Sequence, residues 1–194
     1  MAVRETIQIG HPALKAKNEE VTDFNDPKIK EVIQDLIDTM RDKGLVGMAA
    51  PQIAENYRIF ITEPRVTPTR TIDQADELRV YINPEIVETS GEEVVIFEGC
   101  GSVMNGQLFG PVKRPKVVTI EAFNESGEKF RLKCDGLLSR VIQHEYDHLK
   151  GIEFTEKVYD YKKLMTFDFY IQNIKNSPEQ TEPSKITVKE YTLL

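Results

Sequence analysis

The segment His144-Glu-Tyr-Asp-His148 carries two histidines and a glutamate in the spacing H-E-x-x-H. On an α-helix, residues four apart lie on one face, so both imidazoles can bind a single metal ion. Glu145 then lies beside the open coordination position, where its carboxylate can take a proton from a metal-bound water. The alternative is a surface helix with two solvated histidines. Because two of the chain's three histidines fall in this motif, among apolar residues, we favour the metal site.

The residues around the motif predict the helix that must carry it. Asp135 is the expected N-cap, and Gly151 is the expected end of the helix. Between them runs an apolar stripe at helical spacing, formed by Leu137, Leu138, Val141, Ile142 and Leu149. The sequence therefore places the motif on a helix with one buried face.

The composition limits the class of protein. A chain of 194 residues with 40% hydrophobic and 29% charged residues is typical of one globular domain. We see no membrane-spanning run and no signal peptide, and expect the cytoplasm or an organelle interior and no membrane partner. A net charge of −7 argues against DNA as a partner. Cys100 and Cys134 are expected as a metal ligand or packing groups, not as a disulfide.

The rest of the chain alternates between helical and strand-like patterns. An amphipathic helix is expected at 27–43, with Asp26 as its cap and Gly44 at its end. The small, apolar segment 44–52 is either a backbone that approaches a ligand closely or a tight buried turn. A second amphipathic helix is expected from Leu164 to Ile174.

Period-two patterns predict strands near 58–62 and 79–82, separated by a loop that contains Pro64, Pro68 and Asp73. Hairpins are expected at Ser90-Gly91 and at 124–127. These features predict an α+β fold in which short antiparallel β-sheets pack around the central helix that bears H-E-x-x-H. We assign residues 1–175 to the catalytic domain and 176–194 to a C-terminal tail that ends in a strand.

A catalytic zinc-type site needs three protein ligands and one open position. The candidates for the third ligand are Cys100 and an acidic residue downstream of the helix. Cys100 lies between Gly99 and Gly101 at the end of an expected strand. These small neighbours would let a thiolate and its backbone approach an ion closely.

Three separated blocks make the chain resemble the peptide deformylases, in the order that family uses. They are Gly47-Met-Ala-Ala-Pro-Gln52, Glu98-Gly-Cys-Gly-Ser102 and Gln143-His-Glu-Tyr-Asp-His148. The resemblance implies Cys100, His144 and His148 as metal ligands and Glu145 as the catalytic carboxylate. It also implies the Gln52 amide and the Gly101 N–H as donors to the oxyanion. The positions that match a methionine-side-chain pocket are Val46, Gly47, Gly99 and Val141, although ordinary core packing suits Val141 equally.

The resemblance further implies the reaction and its partners. The expected activity is hydrolysis of the formyl group from N-formylmethionine on nascent peptides, with the ribosome as a candidate partner. One divalent ion is expected, Fe(II) in the cell, with Zn, Ni or Co in isolated protein. One alternative is a metallopeptidase or other amide hydrolase acting on a different acyl group. Another is an idle homologue that binds peptides.

The chain departs from the family pattern at Leu45, where a glycine is usual, and at Gly101, where a leucine is usual. The segment 103–106 also differs from the usual apolar residue and proline. We therefore expect an active enzyme with an altered peptide preference or a reduced rate. Asp147 is either paired with Arg114 behind the site or a solvated surface residue.

Overall fold

The computed structural model describes residues 2–67 and 74–194. The loop expected between the first two strands falls partly outside these ranges, because Pro68 and Asp73 are not described. The helices are α1 Pro27–Asp42, α2 Gly136–Leu149, α3 Phe167–Asn173 and α4 Pro178–Thr181. The strands are β1 Gly47–Ala49, β2 Ile59–Thr62, β3 Arg79–Thr89, β4 Glu93–Gly99, β5 Leu108–Pro115, β6 Val118–Phe123, β7 Lys129–Cys134, β8 Met165–Thr166 and β9 Val188–Leu193.

The strands form two sheets, and neighbouring strands in both are antiparallel. The larger sheet has six strands in the order β1-β2-β3-β6-β7-β9, and the smaller has three in the order β4-β5-β8. Helices and antiparallel sheets in separate parts of the chain confirm the predicted α+β class. Within the described residues, no helix is both long enough and apolar enough to cross a bilayer.

The larger sheet is covered by a different helix on each face, and strand alternation explains how. Phe60 of β2 and Tyr81 of β3 pack in the same cluster as α2. Their sequence neighbours Ile59, Ile61 and Val80 point the other way and pack with α1. Side chains alternate between the faces of a strand, so a continuous apolar run such as β2 can serve two cores at once. Helix α2 lies between the two sheets, since its Arg140 also donates hydrogen bonds to the Val94 and Val112 carbonyls of the smaller sheet.

Helix α1 forms as the sequence predicts. The Asp26 side chain accepts a hydrogen bond from Lys28 N at 2.8 Å, and Pro27 occupies the first turn. Gly44 follows the helix with a φ of +65°, a conformation that suits glycine. The buried apolar stripe of α1 includes Ile29, Val32, Ile33, Leu36 and Met40. The predicted cap and stripe are confirmed.

Helix α2 also forms as predicted, but its N-terminus is held differently. Asp135 occupies the N-cap position without capping a helical N–H. Its carboxylate instead accepts a hydrogen bond from Thr187 N at 2.7 Å and pairs with Lys189 at 3.1 Å. Asp135 is therefore the N-cap residue as predicted, but its side chain caps no helical N–H because Thr187 and Lys189 bind the carboxylate. Gly151 has a φ of +68° and lies just beyond the end of the helix, as predicted.

One predicted hairpin is wrong and the other is confirmed. Strands β3 and β4 flank Ser90 but belong to different sheets. Ser90 is bound instead by Val117, through a backbone hydrogen bond of 2.9 Å and a side-chain hydrogen bond of 3.1 Å. The chain is thereby directed out of the larger sheet. The second hairpin joins β6 to β7 through the turn at 124–127, as expected.

The C-terminal region is less helical than the sequence predicts. The helix expected from Leu164 to Ile174 is confined to α3, because Leu164 precedes the short strand β8. Residues 176–194 contain α4 and β9, and β9 pairs with β7 at the edge of the larger sheet. The side-chain amide of Gln180 makes two hydrogen bonds, of 2.9 and 3.2 Å, with the backbone of Phe97 in β4. The tail thus docks on both sheets, and the division at residue 175 stays a prediction.

Candidate metal centre

The structure brings Cys100, His144 and His148 together. Their ligand atoms all lie within 4.8 Å of one another, and Cys100 Sγ is 3.3 Å from His148 Nε2. Ordinary metal–sulfur and metal–nitrogen bonds in a tetrahedron separate neighbouring ligand atoms by about 3.3–3.6 Å. The three side chains therefore fit a single divalent ion with small adjustments. The donors are one thiolate sulfur, which is a soft ligand, and two imidazole nitrogens, which are borderline. Such a set suits zinc or ferrous iron.

Two rigid elements hold these ligands. Cys100 directly follows β4, whose pairing with β5 extends to Gly99. The two histidines lie one turn apart on α2, with rings in edge contact at 5.0 Å between centroids. One sheet end and one helix face thus converge on a buried point. His148 is 1% exposed and Cys100 is 4% exposed.

Two glutamates that we did not predict lie behind the histidines. Glu98 is 2.9 Å from His144 Nδ1, which leaves His144 Nε2 for the centre. Glu153 lies 3.5 Å from His148 Nδ1, without a hydrogen bond of good geometry. Such carboxylates fix the orientation of a ligating imidazole and increase its basicity. The sequence feature that could have identified Glu98 is its position as a charged residue at the end of an apolar strand, two residues before Cys100.

Glu98 is part of a buried network of charges. It accepts hydrogen bonds from Arg114 at 2.8 and 3.0 Å and from Arg140 at 2.9 Å. Burial opposes ionisation, but Arg114 and His144 outweigh it and keep the pKa of Glu98 well below its usual value. Arg114 also donates to Asp147 at 2.5 Å. The predicted pairing of Asp147 with Arg114 is confirmed, and a solvated Asp147 is wrong because the residue is buried.

Replacing Glu98 with glutamine is expected to weaken metal binding by about 10–100-fold, the usual loss when an outer contact to a ligating histidine is removed. The variant should also unfold at a lower temperature, because Arg114 and Arg140 lose their shared buried counter-charge. Chelator competition and thermal unfolding measure the two effects. Glu93→Gln is the matched control, since Glu93 is an exposed residue of the same strand. Equal metal affinity in the two variants would contradict the role given to Glu98.

Glu145 is buried beside the ligands and is not fully paired. Its Oε2 atom has no hydrogen-bond partner, although the residue is only 4% exposed. Burial raises the pKa of Glu145 to about 7, against the opposing effect of His144 and His148. A buried carboxylate with a free oxygen and a pKa near neutrality is suited to accepting and returning a proton.

Gly47 lies directly against this carboxylate. A Cβ atom at Gly47 would be 2.7 Å from Glu145 Oε1 and 2.4 Å from a methyl group of Val141, closer than real atoms approach. We expect Gly47→Ala to displace Glu145 and lower activity by about 100-fold, as a misplacement of about 1 Å can. Metal content should be retained. Gly91→Ala is the control in formate-release assays, because nothing lies within 4 Å of that position. Equal rates for the two variants would contradict the close fit.

Gln52 is fixed next to the cysteine. Its Oε1 atom accepts a hydrogen bond from Ala49 N at 2.8 Å, which orients the amide. Its Nε2 atom lies 3.5 Å from Cys100 Sγ and 3.3 Å from Ser102 Oγ. The turn after Cys100 is tied down as well, since the Gly101 carbonyl accepts from Gln8 Nε2 at 2.9 Å. Both residues expected as oxyanion donors therefore border the candidate centre.

The four residues matched to a methionine pocket have different surroundings in the structure. Val46 and Val141 are buried in the core cluster around α2, and Val141 also contacts Gly47. Gly99 faces Phe109, whose ring atoms would be 2.6 Å from a Cβ at that position. Tyr170 stacks on Phe109 at 4.2 Å, an aromatic contact from α3 that the sequence did not suggest. Their role as a substrate pocket stays a proposal.

The ionisable side chains at the centre shift one another's pKa values. Burial favours the neutral thiol, but His148 and His144 outweigh it and lower the pKa of Cys100 to about 6. Burial acts to lower the pKa of His148, yet the Cys100 thiolate raises it to about 10. The pocket thus stabilises the thiolate, the form that binds a metal. Cys134, by contrast, is a buried core residue whose pKa is raised by burial, as expected of a packing group.

Comparisons with known proteins decide the family. The model of the polypeptide deformylase family matches residues 3–164. The chain belongs to the peptide deformylase family. Peptide deformylases of Christiangramia forsetii and Clostridium perfringens are 39% and 38% identical to it. The first alignment covers 82% of this chain and 83% of the relative, and the second covers 85% and 99%.

Solved structures give the same result. A peptide deformylase of Acinetobacter baumannii with bound Met-Ala-Ser is 32% identical, with a TM-score of 0.74, and the match covers 81% of this chain and 99% of that one. A Synechococcus elongatus peptide deformylase in complex with actinonin is 28% identical, with a TM-score of 0.71, covering 84% and 88%. The fold and the family of enzymes are therefore established. Metal-dependent deformylation is the activity of this family, and the protein is a hydrolase.

Proposed function

We propose that the protein removes the formyl group from N-formylmethionine at the start of nascent peptides, using Cys100, His144 and His148 to hold one divalent ion. The observation that supports this most strongly is the position of Glu145. Its buried carboxylate has an unpartnered oxygen, and the residue follows His144 on the helix that carries both histidines, which converge with the cysteine. A histidine pair in a solvated or purely structural setting has no need of such a group.

The chain supplies the proton transfer. A divalent ion held by Cys100, His144 and His148 would supply Lewis acidity, which would lower the pKa of a water molecule towards about 7 and polarise a carbonyl. Glu145 accepts the proton of the attacking water and delivers it to the departing amine, acting first as base and then as acid.

Gln52 and Gly101 stabilise the charge that develops on the formyl oxygen. The Gln52 amide is held in place by Ala49 N, so its N–H groups need no rearrangement during the reaction. The Gly101 N–H is the second donor, in a turn anchored by Gln8. One such donor typically contributes about 3–4 kcal/mol to transition-state stabilisation.

The substrate is a peptide that begins with methionine. The Acinetobacter baumannii relative has Met-Ala-Ser bound, and we propose the same class of peptide here. We also propose that Val46, Gly47, Gly99 and Val141 border the pocket for the methionine side chain, since Val141 packs against Gly47 beside Glu145 and Gly99 directly precedes Cys100.

The metal and the setting are also part of the proposal. We take Fe(II) as the ion in the cell, because one thiolate and two imidazoles suit a ferrous ion, with Zn, Ni or Co able to replace it. Both cysteines are free thiols, which fits the reducing cytoplasm. Nascent chains emerge at the ribosome, which makes it the candidate partner.

The test compares three peptides with the same sequence, formyl-Met-Ala-Ser, acetyl-Met-Ala-Ser and unblocked Met-Ala-Ser, in anaerobic protein loaded with Fe(II). We expect formate only from the first peptide, and no reaction with the other two. Release of acetate, or cleavage within the unblocked peptide, would instead identify a broader amide hydrolase or a peptidase. Peptide binding without any product would identify an idle homologue. Chelator-treated protein is the control.

A further inference from the structure

Two of the positions at which the chain departs from the family pattern, Leu45 and Gly101, lie against each other. A Cβ atom placed on Gly101 would be 3.2 Å from Cδ1 of Leu45 and 3.7 Å from Cγ2 of Thr6. The end of the Leu45 side chain therefore covers the space in which a side chain at position 101 would begin. Although 56 residues apart in sequence, the leucine and the glycine are complementary in shape.

Leu45 itself is held firmly through its backbone. Its N–H donates to Met40 O at 2.9 Å, and its carbonyl accepts from Arg65 Nη1 at 2.5 Å. The side chain also packs beside the core cluster that contains α1. These contacts fix where the side chain starts, so its methyl groups form a stable surface over Gly101.

The turn at Gly101 needs such a surface. Hydrogen bonds hold its flanks, from Gln8 to the Gly101 carbonyl and from Ile9 N to Ser102 O at 2.7 Å. Glycine has no side chain with which to restrict its own φ and ψ, although the hydrogen bond from Val103 N to Cys100 O at 3.0 Å orients the peptide unit that carries the Gly101 N–H. Packing by a neighbouring side chain is a further restraint on that peptide unit, and Leu45 supplies it.

We propose that Leu45 is a positioning residue, whose side chain packs on Gly101 and keeps the Gly101 N–H directed at the reacting carbonyl. The inference rests on the proposed role of Gly101 as an oxyanion donor. Leu45 touches neither substrate nor metal in this role. It replaces, from another part of the chain, the packing that a larger residue at position 101 would provide for itself.

Three variants test the pair in formate-release assays on metal-loaded protein. Leu45→Ala should lower kcat about 10-fold with KM changed less than about 3-fold, because a misdirected donor weakens transition-state binding and not substrate binding. Gly101→Leu should also lower kcat, because the new side chain meets Leu45. The double variant should recover kcat to within about 3-fold of the wild type, since the removed methyl groups leave room for the new ones. Leu45→Met, which keeps the bulk, should stay near the wild type.

The control is Leu78→Ala, because Leu78 packs beside the same core cluster as Leu45 and is remote from Gly101 in the contacts the structure gives. Both alanine variants should lower the melting temperature, but only Leu45→Ala should lower kcat. Equal kcat values in the two, or a double variant in which the single losses add, would overturn the inference. A wild type that releases no formate would overturn the proposed function and this inference with it. If the wild type is active, the variants test the role of Leu45 alone.

Discussion

Glu145→Gln is expected to lower the rate of formate release by about 10²–10⁴-fold, the usual contribution of a general acid–base group. Glutamine has nearly the same shape but cannot accept the proton of the attacking water or return it to the amine. Metal content should be unchanged, because Glu145 is not among the three residues whose ligand atoms converge. Steady-state rates and metal analysis of the purified variant measure both effects.

The same variant has an expected effect on stability in chelated protein. Burial raises the pKa of Glu145 to about 7 in the folded state, so ionisation of this carboxylate destabilises the fold. The penalty is absent below the unfolded pKa and increases as the pH rises to about 7, above which it is constant. Glu145→Gln should therefore gain melting temperature over the wild type at pH 8 and little at pH 4.

Glu125→Gln provides the control for both measurements, since Glu125 is an exposed residue in the turn between β6 and β7. Its activity and its pH dependence of melting should match the wild type. A Glu145→Gln variant that kept more than about a tenth of the wild-type rate would remove the proton-transfer role from this residue.

Cys100→Ala is expected to abolish stable metal binding and, with it, detectable formate release. The variant removes the only thiolate among the three converging ligands, and the affinity loss should exceed the 10–100-fold that is typical of an outer contact. The lowered pKa of Cys100, about 6, means that this anionic ligand is available at neutral pH in the wild type. Metal stoichiometry after dialysis and chelator competition measure the change.

Cys134→Ala is the matched control for the cysteine variant. Cys134 is fully buried in the core cluster on the sheet side of α2, so its replacement should lower the melting temperature through a small cavity. Metal stoichiometry should remain at one per chain. If Cys100→Ala retained one tightly bound ion while Cys134→Ala lost it, the ligand assignment would be wrong.

The sequence predicts the elements that depend on local patterns. Helices α1 and α2 follow from their apolar stripes and their bounding residues, and the β6–β7 hairpin follows from its glycine-containing turn. The two histidines could be placed on one helix face because their spacing and the helix period are both local properties. The choice of Cys100 depended on the resemblance in addition to its small neighbours.

Predictions from the sequence fail where a residue binds a partner that is distant in the chain. The turn at Ser90 looks like a hairpin, yet it separates two sheets, and Val117 binds it from the connection between β5 and β6. Asp135 occupies the N-cap position of α2, but its carboxylate binds Thr187 N in the C-terminal segment instead of capping the helix. Local propensity cannot weigh such distant competitors.

The site shows the same division between local and distant information. Glu98 lies within hydrogen-bonding distance of His144 although it is in a strand 46 residues earlier in the chain. The spacing of the two residues in the sequence does not predict this contact. Leu45 and Gly101 look like two unrelated departures in the sequence, whereas the structure places them in contact. Contacts of this kind are visible only once the chain is folded.

X-ray absorption at the zinc edge of zinc-loaded protein measures the ligands of the ion directly. We expect one sulfur at about 2.3 Å and two imidazole nitrogens at about 2.0–2.1 Å, with one further light atom completing the coordination. A spectrum without a sulfur neighbour, or with two sulfurs, would contradict a centre formed by Cys100, His144 and His148.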